Sequence, residues 1–160
     1  MSKNETYVDV LVTSLRKKIE ILEKLDVIIE EQEQLLKKTK VEIDEVDENH
    51  KQKENLLDEL EKADIGFEKV FQRVKEEITD NKYQYETQIK EMQVYIKKIT
   101  DLTVKLQAQE IRNKQLMEIF FKNKKNEVRI FNQNNRSTEK YNRHMVNRVN
   151  GQSYFMDSKK

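Results

Sequence analysis

The chain has 160 residues, of which 36% are apolar and 38% are charged, and its net charge is +1. This small apolar share excludes a thick globular core and favours two or three long helices that each bury one stripe of side chains. The lack of cysteine excludes disulfides and thiolate metal sites and suits a reducing cytoplasm. With no proline and only the glycines Gly66 and Gly151, long uninterrupted helices are expected.

The first predicted helix covers about residues 5–38. Apolar residues at steps of three and four trace one face of it: Val8, Leu11, Val12, Leu15, Ile19, Leu22, Leu25, Ile29 and Leu36. Between Thr39 and Asn49 the stripe weakens and acidic residues accumulate. We expect a connection there.

A second, shorter helix is predicted over about residues 45–63, where Leu56, Leu57 and Leu60 supply the apolar face. Asp64 suits the N-terminal cap of a further helix, and Gly66 disfavours a helix that runs straight through. The sequence therefore predicts a helix boundary at these residues.

The third predicted helix covers about residues 67–135. Its apolar residues keep a seven-residue repeat: Phe71, Val74, Ile78, Tyr85, Met92, Tyr95, Ile99, Leu102 and Leu106. A helix of this length is not stable alone in water, so its stripe must lie against the other helices, a second copy or a partner. The expected fold is an all-α, elongated antiparallel bundle or coiled coil over 1–135, with a flexible tail.

The tail is expected to be basic and partly disordered over residues 136–160. Residues 111–160 contain 12 Lys and Arg against 4 Asp and Glu, a net of +8, which leaves −7 for residues 1–110. An apolar cluster at 154–156 near the end suggests a contact element on this tail.

The sequence offers no pattern for catalysis, a metal or another cofactor. His50 and His144 stand in polar segments without a partner at metal-ligand spacing, so both are expected to be solvated. The basic residues of the tail are spaced rather than clustered, and the acidic body opposes a polyanion, which disfavours nucleic acid. No apolar run approaches the roughly 20 residues needed to span a bilayer, so neither membrane insertion nor a signal peptide is expected.

A dense apolar patch lies late in the third predicted helix, at Leu116, Met117, Ile119, Phe120 and Phe121. One interpretation is that it packs against the N-terminus of the first helix. The other is that it binds a partner, which methionine favours because its flexible side chain adapts to varied surfaces.

Several segments resemble one known family, the flagellar export chaperones of the FlgN type from Gram-positive bacteria. The first is the spacing Leu15, Ile19, Leu22, Leu25 followed by 32–36. The others are residues 53–60, residues 99–102 together with 107–114, and residues 153–160. Residues 107–114 resemble the family most. The resemblance covers nearly the whole chain.

The resemblance implies a cytoplasmic chaperone that holds hook-filament junction (hook-associated) proteins, prevents their premature association and delivers them to the flagellar type III export gate, without nucleotide or metal. We expect client contact at Ile111, Leu116, Met117, Ile119, Phe120, Phe121, Val128 and Phe131. Tyr141 is the expected residue for docking on the gate, since tyrosine is a frequent anchor at interfaces.

Two alternatives stay open on the sequence alone. A structural coiled-coil subunit, such as a homodimeric spacer, would saturate the late stripe with its own copy and ignore a client. A nucleic-acid adaptor would use the basic tail, and its binding would collapse with added salt.

Overall fold

The computed structural model describes residues 3–124, Gln152, Phe155 and Met156. Residues 3–124 form three α-helices: α1 at Lys3–Lys37, α2 at Ile43–Asp80 and α3 at Glu86–Asn123. No strand occurs among the described residues. The predicted all-α bundle of long helices is therefore confirmed.

Helix α1 is the centre of the bundle, because its backbone contacts both α2 and α3. Over the described residues, α2 and α3 make no backbone contact with each other. The two outer helices are therefore joined by side chains.

Helix α2 runs antiparallel to α1. Near its start, Asn49 Nδ2 donates to the carbonyl of Ile28 at 3.0 Å, and near its end Arg73 donates to the Tyr7 hydroxyl at 3.3 Å. The connection, residues 38–42, overlaps the start of the expected 39–49 region, and α2 begins earlier than predicted. Acidic residues in its first turn stabilise that end, since a helix N-terminus carries partial positive charge.

Helix α3 runs parallel to α1. Gln84, just before it, donates to Glu5, and Lys105 pairs with Asp26 at 2.9 Å. The N-terminus of α3 therefore lies near the start of α1, and its C-terminus lies near the α1–α2 connection.

The apolar face predicted for α1 is buried. Its members are Val8, Leu11, Val12, Leu15, Ile19, Leu22, Leu25 and Ile29, while Leu36 is half-buried. They pack against apolar residues of the outer helices, including Leu60, Phe71, Val74, Met92 and Leu106. Each fully buried aliphatic side chain of this kind contributes about 1.5–3 kcal/mol.

The boundary predicted at residues 63–67 is wrong, because α2 continues through it. Asp64 does not cap a helix; its Oδ1 lies 2.6 Å from Lys18 Nζ in the interior. Glycine within a helix costs about 1 kcal/mol relative to alanine. Burial of Leu57, Leu60 and Phe67 on either side of Gly66 outweighs that cost.

The third helix was predicted to run through residues 81–85, and this is also wrong. At Asn81 the backbone leaves the helix, and the Asn81 side chain donates to the carbonyl of Glu77 at 3.0 Å. Asparagine competes with the helix for backbone hydrogen bonds, which explains a break without glycine or proline. Tyr85 is nevertheless buried, so the predicted stripe survives the turn.

The two histidines were expected to be solvated, and the structure describes one of them. His50 is 1% exposed, so the prediction of a solvated histidine is wrong; its Nε2 lies 3.6 Å from Glu54 Oε1, on the next turn of α2. His144 lies outside the described residues, as do the predicted end of the third helix near 135 and most of the tail at 136–160.

Candidate functional site

The last turns of α3 pack onto the α1–α2 connection. Met117 is fully buried and Phe120 is 8% exposed, and both pack against Val41 and Val46. The half-buried Leu36, Ile43 and Phe121 surround them. We call these seven residues the connection cluster.

Lys124 fastens the end of α3 to this cluster. Its ammonium lies 5.2 Å from the centre of the Phe120 ring and donates a hydrogen bond to the carbonyl of Val41. Its backbone N–H bonds to the carbonyls of Phe120 and Phe121. The end of α3 is therefore held by cation–π attraction, a side-chain bond and a helix cap together.

The apolar patch expected to bind a client divides into a buried and an exposed part. Met117 and Phe120 lie in the connection cluster, Leu116 and Phe121 are half-buried, and Ile119 is 55% exposed. The alternative that the patch packs against the N-terminus of α1 is wrong. Because α3 is parallel to α1, its late turns reach the far end of α1.

Ile111 lies two turns before this cluster on α3 and is 52% exposed. Val128 and Phe131, expected at the same surface, and Tyr141, expected to dock on the gate, lie outside the described residues. Among the described candidates, Ile111 and Ile119 are those most open to a partner.

An acidic groove follows the later half of α1. It is open, has a volume of about 710 Å³ and is lined mainly by Val27, Glu30, Glu31, Glu33, Gln34, Leu35, Lys38 and Gln109. Lys37 donates a hydrogen bond to Glu33, and Gln109 adds another; together they hold the pKa of that carboxyl below its usual value. With three glutamates and one lysine in its lining, the groove carries net negative charge.

A layer of polar side chains crosses the interior between the connection cluster and the middle of the bundle. Lys53 of α2 pairs with Glu110 of α3, and neither is more than 2% exposed. Asn113 of α3 donates to the Ile29 carbonyl at 2.9 Å and to the side chain of Gln32 at 3.0 Å. This layer could not be predicted from the sequence, because its members interrupt the apolar stripe at positions where charge is usually solvated.

Three residues near the end of the chain occupy the space between α2 and α3. Gln152, Phe155 and Met156, here called the C-terminal segment, are each helical. Phe155 is fully buried, with its ring 5.6 Å from that of Phe71 at a steep angle. The apolar cluster expected to be a contact element makes its contact, through Phe155, within the bundle.

Two negative findings concern the described residues. No group of three or more His, Cys, Asp or Glu side chains there is arranged to hold a metal ion. None of the helices within 3–124 has the length and apolar character needed to cross a membrane.

Fold and surfaces together define an all-helical bundle of three long helices, with exposed apolar positions on a helix whose end is held by packing. The family model described as FlgN protein matches residues 1–146, and the chain belongs to the FlgN family. This is a family of flagellar export chaperones rather than of enzymes, so the resemblance found in the sequence is confirmed. Comparisons with curated proteins and with solved structures gave no significant match.

Proposed function

We propose that this protein is a cytosolic chaperone for hook-associated flagellar proteins, which it shields from premature association and delivers to the type III export gate. Family membership supports the general role. The observation that carries the finer proposal is the exposed pair Ile111 and Ile119 on α3. They are apolar side chains in solvent on a helix whose end is already fixed.

The rigidity of this surface favours binding. Since Met117, Phe120 and Lys124 fix the last turns of α3, a client pays little entropy for ordering the surface it meets. A client with an amphipathic helix would lay its apolar face along α3, with anchors at helical spacing. Ile111, Leu116, Ile119 and Phe121 supply the direct contacts, and Met117 and Phe120 support them from below.

Two parts of the proposal concern the chain after Lys124. Val128 and Phe131 also contact the client, and Tyr141 docks on the export gate. Tyr141→Ala should therefore leave client binding unchanged and weaken binding to the cytoplasmic part of the gate. Equal loss of both activities would contradict a separate gate contact.

The test of client binding is light scattering after gel filtration, with the protein alone and mixed with a candidate hook-filament junction protein. We expect a one-to-one complex with the wild type that is lost in Ile111→Asp/Ile119→Asp. Val94→Asp is the matched control, because Val94 is 66% exposed near the opposite end of α3. It should bind like the wild type.

The same measurement examines the structural alternative. A tight self-dimer that ignores the junction protein would contradict the chaperone proposal and favour a homodimeric spacer. A complex that survives the double substitution would leave the chaperone role standing and place the client elsewhere on the bundle.

A further inference from the structure

We infer that the space between α2 and α3 is a second binding site for an amphipathic client helix, and that the C-terminal segment holds this site until the client displaces it. This inference rests on the proposed chaperone function. The C-terminal segment shows which chemistry the site accepts. It presents an aromatic side chain as the anchor and an amide side chain one helical turn before it.

The site exists because the outer helices stand apart. The backbones of α2 and α3 make no contact within 3–124, although both pack on α1. Phe155 fills the space between them, against Phe71 of α2 on one side. On the other, Gln93 of α3 donates to the Phe155 carbonyl at 3.0 Å.

The Gln152 amide bonds to both charged residues, Lys18 and Asp64, at the base of the site. Gln152 Oε1 accepts a bond from Lys18 Nζ at 3.4 Å, and Gln152 Nε2 donates to Asp64 Oδ1 at 3.3 Å. Because an amide both donates and accepts, it satisfies the two charges at once. An occupant with an apolar or singly charged side chain at this point would leave one of them poorly matched.

The site can change its occupant without leaving a buried charge alone. Lys18 and Asp64 form a direct ion pair at 2.6 Å, which stays closed when Gln152 departs. Gln93 is half-buried, so solvent can replace its bond to Phe155. Departure of the segment uncovers the ring of Phe71, which a client aromatic would cover again.

Competition from a tethered segment lowers the apparent affinity of the client, because a tether gives its own end a high effective concentration. Phe155→Ala removes the aromatic anchor of the competitor and leaves the α2 and α3 walls intact. The first probe is a fluorescein-labelled synthetic peptide with the sequence of residues 148–160. We expect it to bind the Phe155→Ala chain at least tenfold tighter than the wild type, by fluorescence polarisation.

The control is Leu36→Ala, which removes a half-buried side chain of the connection cluster that is not among the proposed client contacts. It should bind the peptide no better than the wild type. The unlabelled junction protein should displace the peptide from Phe155→Ala. Equal peptide binding to all three chains, or a client that binds without displacing the peptide, would overturn the inference.

A second experiment fixes the C-terminal segment in the site with a covalent bridge instead of removing its anchor. The chain has no cysteine, so cysteines at Gln93 and Met156 can be bridged specifically by a short bismaleimide. The bridged chain should bind the junction protein at least tenfold more weakly than the same chain before bridging. Unchanged affinity would overturn the inference. If no chain forms a complex with the junction protein, that result counts against the proposed function. The peptide titration would then still decide whether the site exchanges its occupant.

Discussion

Lys53 Nζ of α2 lies 3.0 Å from Glu110 Oε2 of α3, with both side chains withdrawn from solvent. Since the two helices lack backbone contact in the described chain, this ion pair is one of the side-chain links that join them. A buried ion pair forms in only one relative position of the two helices, and other positions would leave a buried charge without its partner. We interpret it as a device that fixes the register of α3 against α2.

Replacing one residue of this ion pair should lower the free energy of unfolding more than replacing both. Lys53→Met leaves the Glu110 carboxylate buried without its partner, and we expect a loss of about 3–5 kcal/mol in the free energy of unfolding. The double variant Lys53→Met/Glu110→Leu should recover most of that loss. Urea unfolding of the wild type, both single variants and the double variant measures the coupling; additive losses would contradict the interpretation.

Gly66→Ala should stabilise the protein. A Cβ at Gly66 would meet no atom within 4 Å, and the position is exposed inside α2. Alanine reduces the freedom of the unfolded chain, so we expect a gain of about 0.5–1 kcal/mol. Gly66→Pro at the same site should instead destabilise by about 3 kcal/mol or more. Thermal unfolding of both variants decides the matter, and a neutral proline variant would argue against a continuous α2.

The two parts of the apolar patch on α3 should separate in stability measurements. Met117→Ala opens a cavity in the connection cluster and should cost about 2–5 kcal/mol. Ile119→Ala, two positions away and 55% exposed, should change stability by no more than about 0.5 kcal/mol. Urea unfolding compares them; similar losses would mean that Ile119 is covered in solution, as by a second copy.

Acid should weaken the hydrogen bonds that Glu33 accepts from Lys37 of the same helix and from Gln109 of α3. The pKa of Glu33 is lowered in the folded chain, first by the hydrogen bond from Lys37 and then by that from Gln109. These bonds therefore stabilise the fold fully above the unfolded-state pKa of about 4.3 and lose this effect as pH falls through the lower folded-state value.

Glu33→Gln should accordingly flatten this part of the acid dependence. The stability difference between wild type and variant should be present at neutral pH and shrink as the pH falls through the folded-state pKa of Glu33. Urea unfolding over this range measures it, with the exposed Glu31→Gln as the control. A difference that persists at the acid end would exclude ionisation of Glu33 as its source.

Much of the bundle was predictable because α1 follows a simple rule. From Val8 to Ile29 its apolar residues recur with helical spacing, and all of those in the stripe are buried. The break after Asp80 was missed because it depends on the Asn81 side chain rather than on glycine or proline. Gly66 gives the opposite error: glycine predicts a boundary, whereas the apolar face on both sides of it holds the helix together.

The interior polar groups could not be placed from the sequence. Lys18, Lys53 and Glu110 look like solvated positions of a charge-rich helix, and their burial depends on partners 46 or 57 residues away. The site of the C-terminal segment was missed for the same reason, since Phe155 meets α2 and α3 only in three dimensions. Periodicity identifies the faces of helices, whereas pairing across the bundle depends on topology.

The parallel arrangement of α1 and α3 has a consequence for the order of folding. Helices α1 and α2 are separated by a short connection and can pair as soon as both have been synthesised. Contacts of α1 with α3, by contrast, join residues 75 to 84 positions apart, and such distant contacts form slowly. We therefore expect α3 to dock on the α1–α2 hairpin after that hairpin has formed, so a chain emerging from the ribosome exposes the α3-facing side of α1 until α3 has been synthesised.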